Sequence, residues 1–458
     1  MPLHPHWAAE DQGFWQDPGR GIARRNLWLS IPALSLAFAV WMLWSVVVVQ
    51  LPAAGFHYST NQLFWLTALP ALCGATLRIF QAFAMPLLGG RRFTALATAS
   101  LLLPAIGLGL AVQDPSTSYE WMVALALLCG LGGGNLASSM VPIGFVDSEA
   151  GKGGALGLNT GLGHLGIALV QAVVPLVIAV GLFGPLGGAP QATAQGPLWL
   201  QNAGFVWVPL IAASALAAWF GMDDLAEARA GFAEQAVIFS RRHNWLMCWL
   251  YLGSFGSFIG LSAGLPMLLH SQFDSAGAAP HPAWAAAGPL LGALLRPLGG
   301  WLADRAQGGA RLALWCFVGM ALGAGGVLWS LPAPGQGGHF GGFVAGFGLL
   351  FAASGLANGS VFHMLLSIFV GARRQAVGRL PTEQAQATQA GNVEAAAVLG
   401  FASAIGAYGG FFIPKSYGTA IALTGSPAAA LGVFIAFYVS CIAVTWWFYS
   451  RRHATMPC

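Results

Sequence analysis

Apolar residues run through this chain in stretches of twenty or more, broken by short clusters of Gly, Pro and charge. Runs of that length match the thickness of a bilayer's hydrocarbon core, so each predicts a membrane-spanning helix. The breaks define twelve: 27–50, 61–88, 93–112, 120–145, 153–182, 203–222, 244–270, 283–304, 310–331, 340–370, 393–420 and 427–450. Alternate breaks differ sharply in charge. Sixteen of the 19 Lys and Arg residues fall in the N-terminal segment, in the loops 89–92, 146–152, 223–243, 305–311 and 371–392, and in the C-terminal tail. The loops between them hold none. By the positive-inside rule both termini lie in the cytoplasm.

Composition narrows the class. Charged residues are 7% of the chain against roughly 25% in soluble domains, which excludes a soluble protein, and no nucleic-acid partner is expected. The net charge of +4 is spread over membrane-flanking loops. No cleavable leader is expected ahead of the first span. The six cysteines show no metal spacing and read as free thiols. His164, His270 and His363 do not form the paired set that haem would need, so no cofactor and no metal are expected.

The organisation is six spans, a linker and six spans. Residues 1–26 form a cytoplasmic N-terminal segment, 27–222 a first bundle, 223–243 a cytoplasmic linker, 244–450 a second bundle and 451–458 a cytoplasmic tail. The halves repeat each other. Arg78 precedes Gly89-Gly90-Arg91-Arg92 by eleven residues, and Arg296 precedes Gly308-Gly309-Ala310-Arg311 by twelve. An offset of 243 superposes Gly157, Gly163 and Gly166 of span 5 on Gly400, Gly406 and Gly409 of span 11. An offset of 217 pairs Phe38 with Phe255 and Ser45 with Ser262. Two all-α six-helix bundles related by a pseudo-two-fold are the arrangement of the major facilitator superfamily, with its substrate site near mid-membrane. The segment GGWLADRAQGGAR (299–311) resembles that superfamily's loop motif, in which Asp304 and Arg305 pair with neighbouring helix ends and stabilise one gating state.

Candidate chemistry centres on Arg78 and Arg296. An arginine at mid-membrane costs about 2.5–3.5 kcal/mol on the lenient insertion scale, and such residues mark function. Arg78 is eleven residues from its turn, about 16 Å along a helix, too far to reach the interface comfortably. No carboxylate lies at matching depth in the sequence, so the expected counter-charge is a small anion that binds and leaves. A guanidinium offers planar paired donors that fit a planar oxyanion. His164 is open to two readings, since an intramembrane histidine is more often a packing residue, yet this one sits at arginine level and could touch substrate or carry a proton. Tyr251 and Phe255 could equally be core packing, as could Phe38, Trp41 and Trp44. Lys415 is expected to snorkel at the outer end of span 11. The glycine ladders of spans 5 and 11 fit ordinary helix packing and also the sliding that alternating access requires.

Five stretches carry a closer resemblance: RNLWLSIPALSLAFAVWMLWSVV (25–47), TALPALCGATLRIFQAF (67–83), ALGLNTGLGHLG (155–166), YLGSFGSFIGLSAG (251–264) and LGFASAIGAYGGFFIP (399–414). With them the chain resembles the NarK/NarU-type nitrate/nitrite porters of the major facilitator superfamily from residue 25 to about 452. The resemblance implies that Arg78 and Arg296 clamp nitrate or nitrite, that Tyr251 hydrogen-bonds it and that Phe255 covers one face. Met42 and Ser403 match further pocket positions. Three positions depart from the family pattern: His164 replaces an asparagine, Leu136 a covering phenylalanine and Thr160 a signature glycine.

Such a protein is expected to work as a monomer in the bacterial inner membrane. Two guanidiniums about 8 Å apart repel by roughly 2 kcal/mol at an effective dielectric of 20, while each attracts an anion at 4 Å by about 4 kcal/mol. A loaded site therefore draws the halves together and an empty one resists closure, which favours exchange of nitrate for nitrite. Nitrate–proton symport through His164, or carriage of another small monovalent anion, is the alternative.

Overall fold

The computed structural model describes residues 20–144, 149–194, 196–223, 237–273, 283–305, 308–332, 338–378, 381–451, and 454, 456 and 458. Twelve helices of membrane length lie among the described residues. The first seven are α1 (Gly21–Gln50), α2 (Thr60–Gln81), α3 (Gly90–Ala111), α4 (Tyr119–Met140), α5 (Leu158–Val177), α6 (Asn202–Gly221) and α7 (Arg242–Phe273). After α8 (Ala283–Arg305) come α9 (Gly309–Ser330), α10 (Phe340–Gln375), α11 (Gln386–Thr424) and α12 (Ala428–Ser450). Eleven are long and apolar enough to cross a membrane by themselves. The exception is α8, which has the length, 23 residues, but is diluted by four glycines, two prolines, Arg296 and its Asp304-Arg305 end.

Several helices change pitch or break where the sequence allows it. At Met42 α1 breaks (φ −90°, ψ 1°), and Ser45 Oγ donates to the Met42 carbonyl at 2.6 Å. The run Cys129–Gly134 tightens α4 into a 3₁₀ turn, and Leu252–Gly256 widens α7 into a π turn. A turn at Tyr408 interrupts α11. The basic stretch 371–392, expected as a loop, is largely helical: α10 runs on to Gln375, and the helix of α11 begins at Pro381. Proline suits a first helical position, and the Glu-Gln-Ala-Gln-Ala that follows Thr382 favours helix without a hydrophobic face. Between α5 and α6 the chain makes a small antiparallel hairpin, Gln191–Thr193 with Gly196–Leu198, turned by Gly196 at φ +121°. The linker core 224–236 lies outside the described residues, as does the loop 274–282.

The chain divides into two compact units. One comprises Met1–Arg229, Gly260–Leu290 and Gly410–Pro427; the other comprises Ala230–Ile259, Leu291–Gly409 and Ala428–Cys458. Within the first, α5 lies directly on α1: a Cβ on Gly166 would stand 1.9 Å from the Ser35 carbonyl oxygen, and one on Gly163 would meet Leu34 at 2.5 Å. Ser35 Oγ donates back to the Leu162 carbonyl at 2.9 Å. Asn135 of α4 ties the same region together, donating to the Ala33 carbonyl and to Thr98 Oγ1 at 3.1 Å each. The segments from α7 and α11 join this unit through polar contacts. Gln171 Nε2 donates to the Ser262 carbonyl at 2.7 Å. Lys415 Nζ donates to Asn61 Oδ1 at 3.1 Å and Thr419 Oγ1 at 2.8 Å, and lies 4.7 Å from the Trp65 ring centre. The lysine expected to snorkel is thus engaged by side chains of α2 and of its own helix.

In the second unit α7 and α11 meet glycine to glycine, with a Cβ on Gly409 only 2.4 Å from Gly256 Cα. Glu394 on α11 accepts from Arg241 Nε at 2.8 Å and Arg373 Nε at 2.7 Å, gathering the ends of α7 and α10. Asp304 pairs with His363 of α10 at 3.0 Å, while Arg305 lies over the Trp301 ring at 4.1 Å.

These contacts separate the ladder glycines into two kinds. Gly166→Ala sets a methyl against fixed backbone and should destabilise the protein by about 1–3 kcal/mol or more. Gly400 has nothing within 4 Å of a would-be Cβ. Gly400→Ala should therefore be neutral or stabilising by up to about 1 kcal/mol. Thermal unfolding midpoints in detergent check this, and equal shifts for both variants would refute it.

Candidate functional site

Arg78 is held where α2 crosses α4. The turn before it is Gly74, and the glycine-rich 3₁₀ turn of α4 presses onto that residue: Cβ atoms on Gly130 and Gly133 would stand 2.4 Å from Gly74 N and 2.6 Å from Gly74 O. Backbones this close bring the Gly133 carbonyl within reach of Arg78, whose Nε donates to it at 2.9 Å. One turn on, Gln81 Nε2 donates to the Leu131 carbonyl at 2.9 Å. The bare face of Gly74 also receives the Trp41 ring, 2.6 Å from where a Cβ would be. The Arg78 guanidinium lies 5.3 Å from the Trp41 ring centre. A cation over an indole is stabilised by about 0.5–2 kcal/mol, most when water is excluded. Arg78 is 2% exposed, so water is excluded here and snorkelling is ruled out.

Aromatic contacts extend from this arginine. Trp41 neighbours Phe38, with ring centres 6.1 Å apart, and Phe38 in turn lies 4.6 Å from the His164 imidazole. His164, Met42, Leu136 and Thr160 are all buried. Arg78, Trp41, Phe38 and His164 thus form one contiguous buried group in the first unit, with Met42 at the adjoining helix break.

Arg296 is built the same way in the second unit. Four residues before it stands Gly292, and α10 crosses α8 on glycines: Cβ atoms on Gly355 and Gly359 would stand 2.3 Å from the carbonyl oxygens of Gly292 and Arg296. The notch at Gly292 is filled by Phe258, 2.7 Å from a would-be Cβ. Arg296 is 5% exposed, and its Nη2 donates to the Tyr251 hydroxyl at 3.3 Å. Tyr251 opens the π turn of α7 and packs against Phe255, ring centres 5.4 Å apart. Both rings fit because Gly406 of α11 has no side chain; a Cβ there would lie 2.8 Å from Tyr251 and 3.2 Å from Phe255. π turns recur at functional sites, and this one carries the two site candidates Tyr251 and Phe255. Ser403, one turn before Gly406, is buried and donates to the Gly400 carbonyl at 2.8 Å. Gly157 falls in the helix Glu149–Val177, and its surroundings lie outside the described residues.

The expected site residues therefore assemble into two groups, each organised by one arginine. Sequence reasoning left Trp41 undecided and passed over Gly74, Gly133, Phe258, Gly292 and Gly359, although a signal was present. Gly-Ala-Thr-Leu-Arg (74–78) and Gly-Ala-Leu-Leu-Arg (292–296) agree at four of five positions at an offset of 218, and Trp41 and Phe258 correspond at 217.

Repeated apolar helices, each half carrying a buried arginine on a glycine crossing, define an all-α membrane transporter of the major facilitator type rather than an enzyme. No protein-family model matches the chain. It is 46% identical over 448 residues to the nitrate/nitrite transporters NarU of Salmonella typhimurium and Escherichia coli, covering 97% of this chain and 96% of each relative. It is 38% identical to a probable nitrate/nitrite antiporter, NarK2, of Thermus thermophilus, over 99% of this chain and 97% of the other. The chain belongs to the NarK/NarU family of nitrate/nitrite transporters.

The Gly74 notch makes a separate prediction. Gly74→Ala should destabilise the protein by about 1–3 kcal/mol by displacing the Trp41 ring. Trp41→Leu in the same chain should recover part of that loss. A double-mutant cycle of unfolding midpoints measures the coupling, and strict additivity would show that the ring is not seated there.

Proposed function

We propose that this chain carries nitrate and nitrite across the bacterial inner membrane by exchange, working as a monomer with both termini in the cytoplasm. The observation that carries this reading is its likeness, end to end, to proteins named nitrate/nitrite transporters, including one named an antiporter. Arg78 and Arg296 bind the anion, each buried beside a glycine crossing. Tyr251 holds Arg296 and hydrogen-bonds the anion, Phe255 covers it, and Met42, His164 and Ser403 line the rest of the site. Gly157, Gly163, Gly166, Gly400, Gly406 and Gly409 form the moving faces, and Asp304 and Arg305 steady one gating state. A shared monoanion cancels the repulsion between two permanent cations, so loaded halves close and empty ones resist. Exchange follows from that asymmetry.

Labelled nitrate uptake into proteoliposomes should require internal nitrite or nitrate and be indifferent to an imposed pH gradient. Uptake into empty vesicles driven by external acid would replace exchange with proton symport and point to His164. Arg78→Lys and Arg296→Lys should each lose tenfold or more in transport, because an ammonium cannot make the paired planar contact. Tyr251→Phe and Gly406→Ala should both raise the nitrate KM, the second by pushing Tyr251 off Arg296; a native KM in Gly406→Ala would break that link.

A further inference from the structure

We propose that Trp41 is a substrate-site residue whose indole N–H donates a hydrogen bond to the anion bound at Arg78. The inference rests on the nitrate/nitrite reading above and adds a donor to it.

The two units pose the same steric problem and solve it with different residues. A bare glycine four residues before the arginine must be covered by an aromatic ring. Phe258 covers Gly292, with its ring edge 2.7 Å from a would-be Cβ; Trp41 covers Gly74 at 2.6 Å. A phenyl ring is therefore sufficient for the notch. What tryptophan adds at position 41 is a wider face for the guanidinium and one N–H group.

That N–H is buried and has no hydrogen-bond partner among the described residues. Leaving a buried donor unsatisfied costs about 1–3 kcal/mol, and a native structure that retains one calls for something to satisfy it. Trp41 is 3% exposed and sits against the Arg78 guanidinium, so a small anion drawn to that cation comes within reach of the indole. Nitrate and nitrite are acceptors only, with oxygens on the rim of a small plane, and an indole N–H can only donate. The match is chemical as well as positional. Trp44, three residues on, also has an unpartnered indole N–H but lies beside the Cys129 sulfur. It serves as the control.

The test replaces Trp41 with β-(3-benzothienyl)alanine, which keeps the fused-ring shape and exchanges N–H for sulfur, alongside Trp41→Phe and Trp44→Phe. Nitrate binding to the purified full chain is measured by calorimetry, with unfolding midpoints recorded in nitrate-free buffer. The isostere and Trp41→Phe should raise the nitrate Kd about tenfold or more, the loss of one hydrogen bond to a charged acceptor. The isostere should leave the nitrate-free midpoint unchanged, a pattern a packing role does not produce, and Trp44→Phe should bind as native. Native affinity in the isostere overturns the assignment. A native chain that binds and exchanges neither nitrate nor nitrite overturns the transport reading itself, and this inference with it. Intact native exchange with an unaffected isostere overturns Trp41 alone.

Discussion

Backbone-to-backbone contact between helices is the constraint on which the rest depends. Arg78 and Arg296 lie on helices that cross their neighbours so closely that a single added methyl would overlap a carbonyl oxygen or an amide nitrogen. Membrane helices gain little by leaving lipid for one another, so association relies on close packing and hydrogen bonds, and small residues make that packing possible. Here the close approach has a second effect. It presents a main-chain carbonyl to Arg78, leaves a bare notch for an aromatic ring one turn before each arginine, and buries both cations. Glycine at the crossing and arginine one turn later are one device.

The sequence made the broad arrangement plain because its signals are additive. Twenty apolar residues in a row, or sixteen basic residues confined to alternate loops, survive any local exception. The two arginines were legible for the same reason, since an ionised group in an apolar run stands out on cost alone. The aromatic residues were not. Trp41 and Phe258 are indistinguishable by type from the many rings that merely fill space, and their meaning comes from a glycine on another helix. The stretch 371–392 misled in the other direction: its polarity signals an exit from the membrane, but helix formation needs no apolar face when the residues are Ala, Gln and Glu. Lys415 read as a side chain reaching for headgroups, because a sequence cannot show that Asn61, more than three hundred residues earlier, is its acceptor.

The repeat is faithful in its backbone and relaxed in its chemistry. Both halves keep the Gly-Ala-x-Leu-Arg turn and the glycine crossing, yet Arg78 leans on a carbonyl and an indole while Arg296 leans on a phenol. Duplicated scaffolding holds the charges, and the residues around each charge have diverged. Under the proposed clamp, the arginines supply the charge and the aromatic and histidine positions supply the selectivity.

One helix carries a cost that bears on how the chain is made. With its arginine, two prolines and four glycines, α8 gains too little from lipid to hold a place in the bilayer on hydropathy alone. Gly355 and Gly359 of α10, which pack against Gly292 and Arg296, follow them by 63 residues in the chain. Placement of α8 therefore depends on its packing against α10 as well as on lipid.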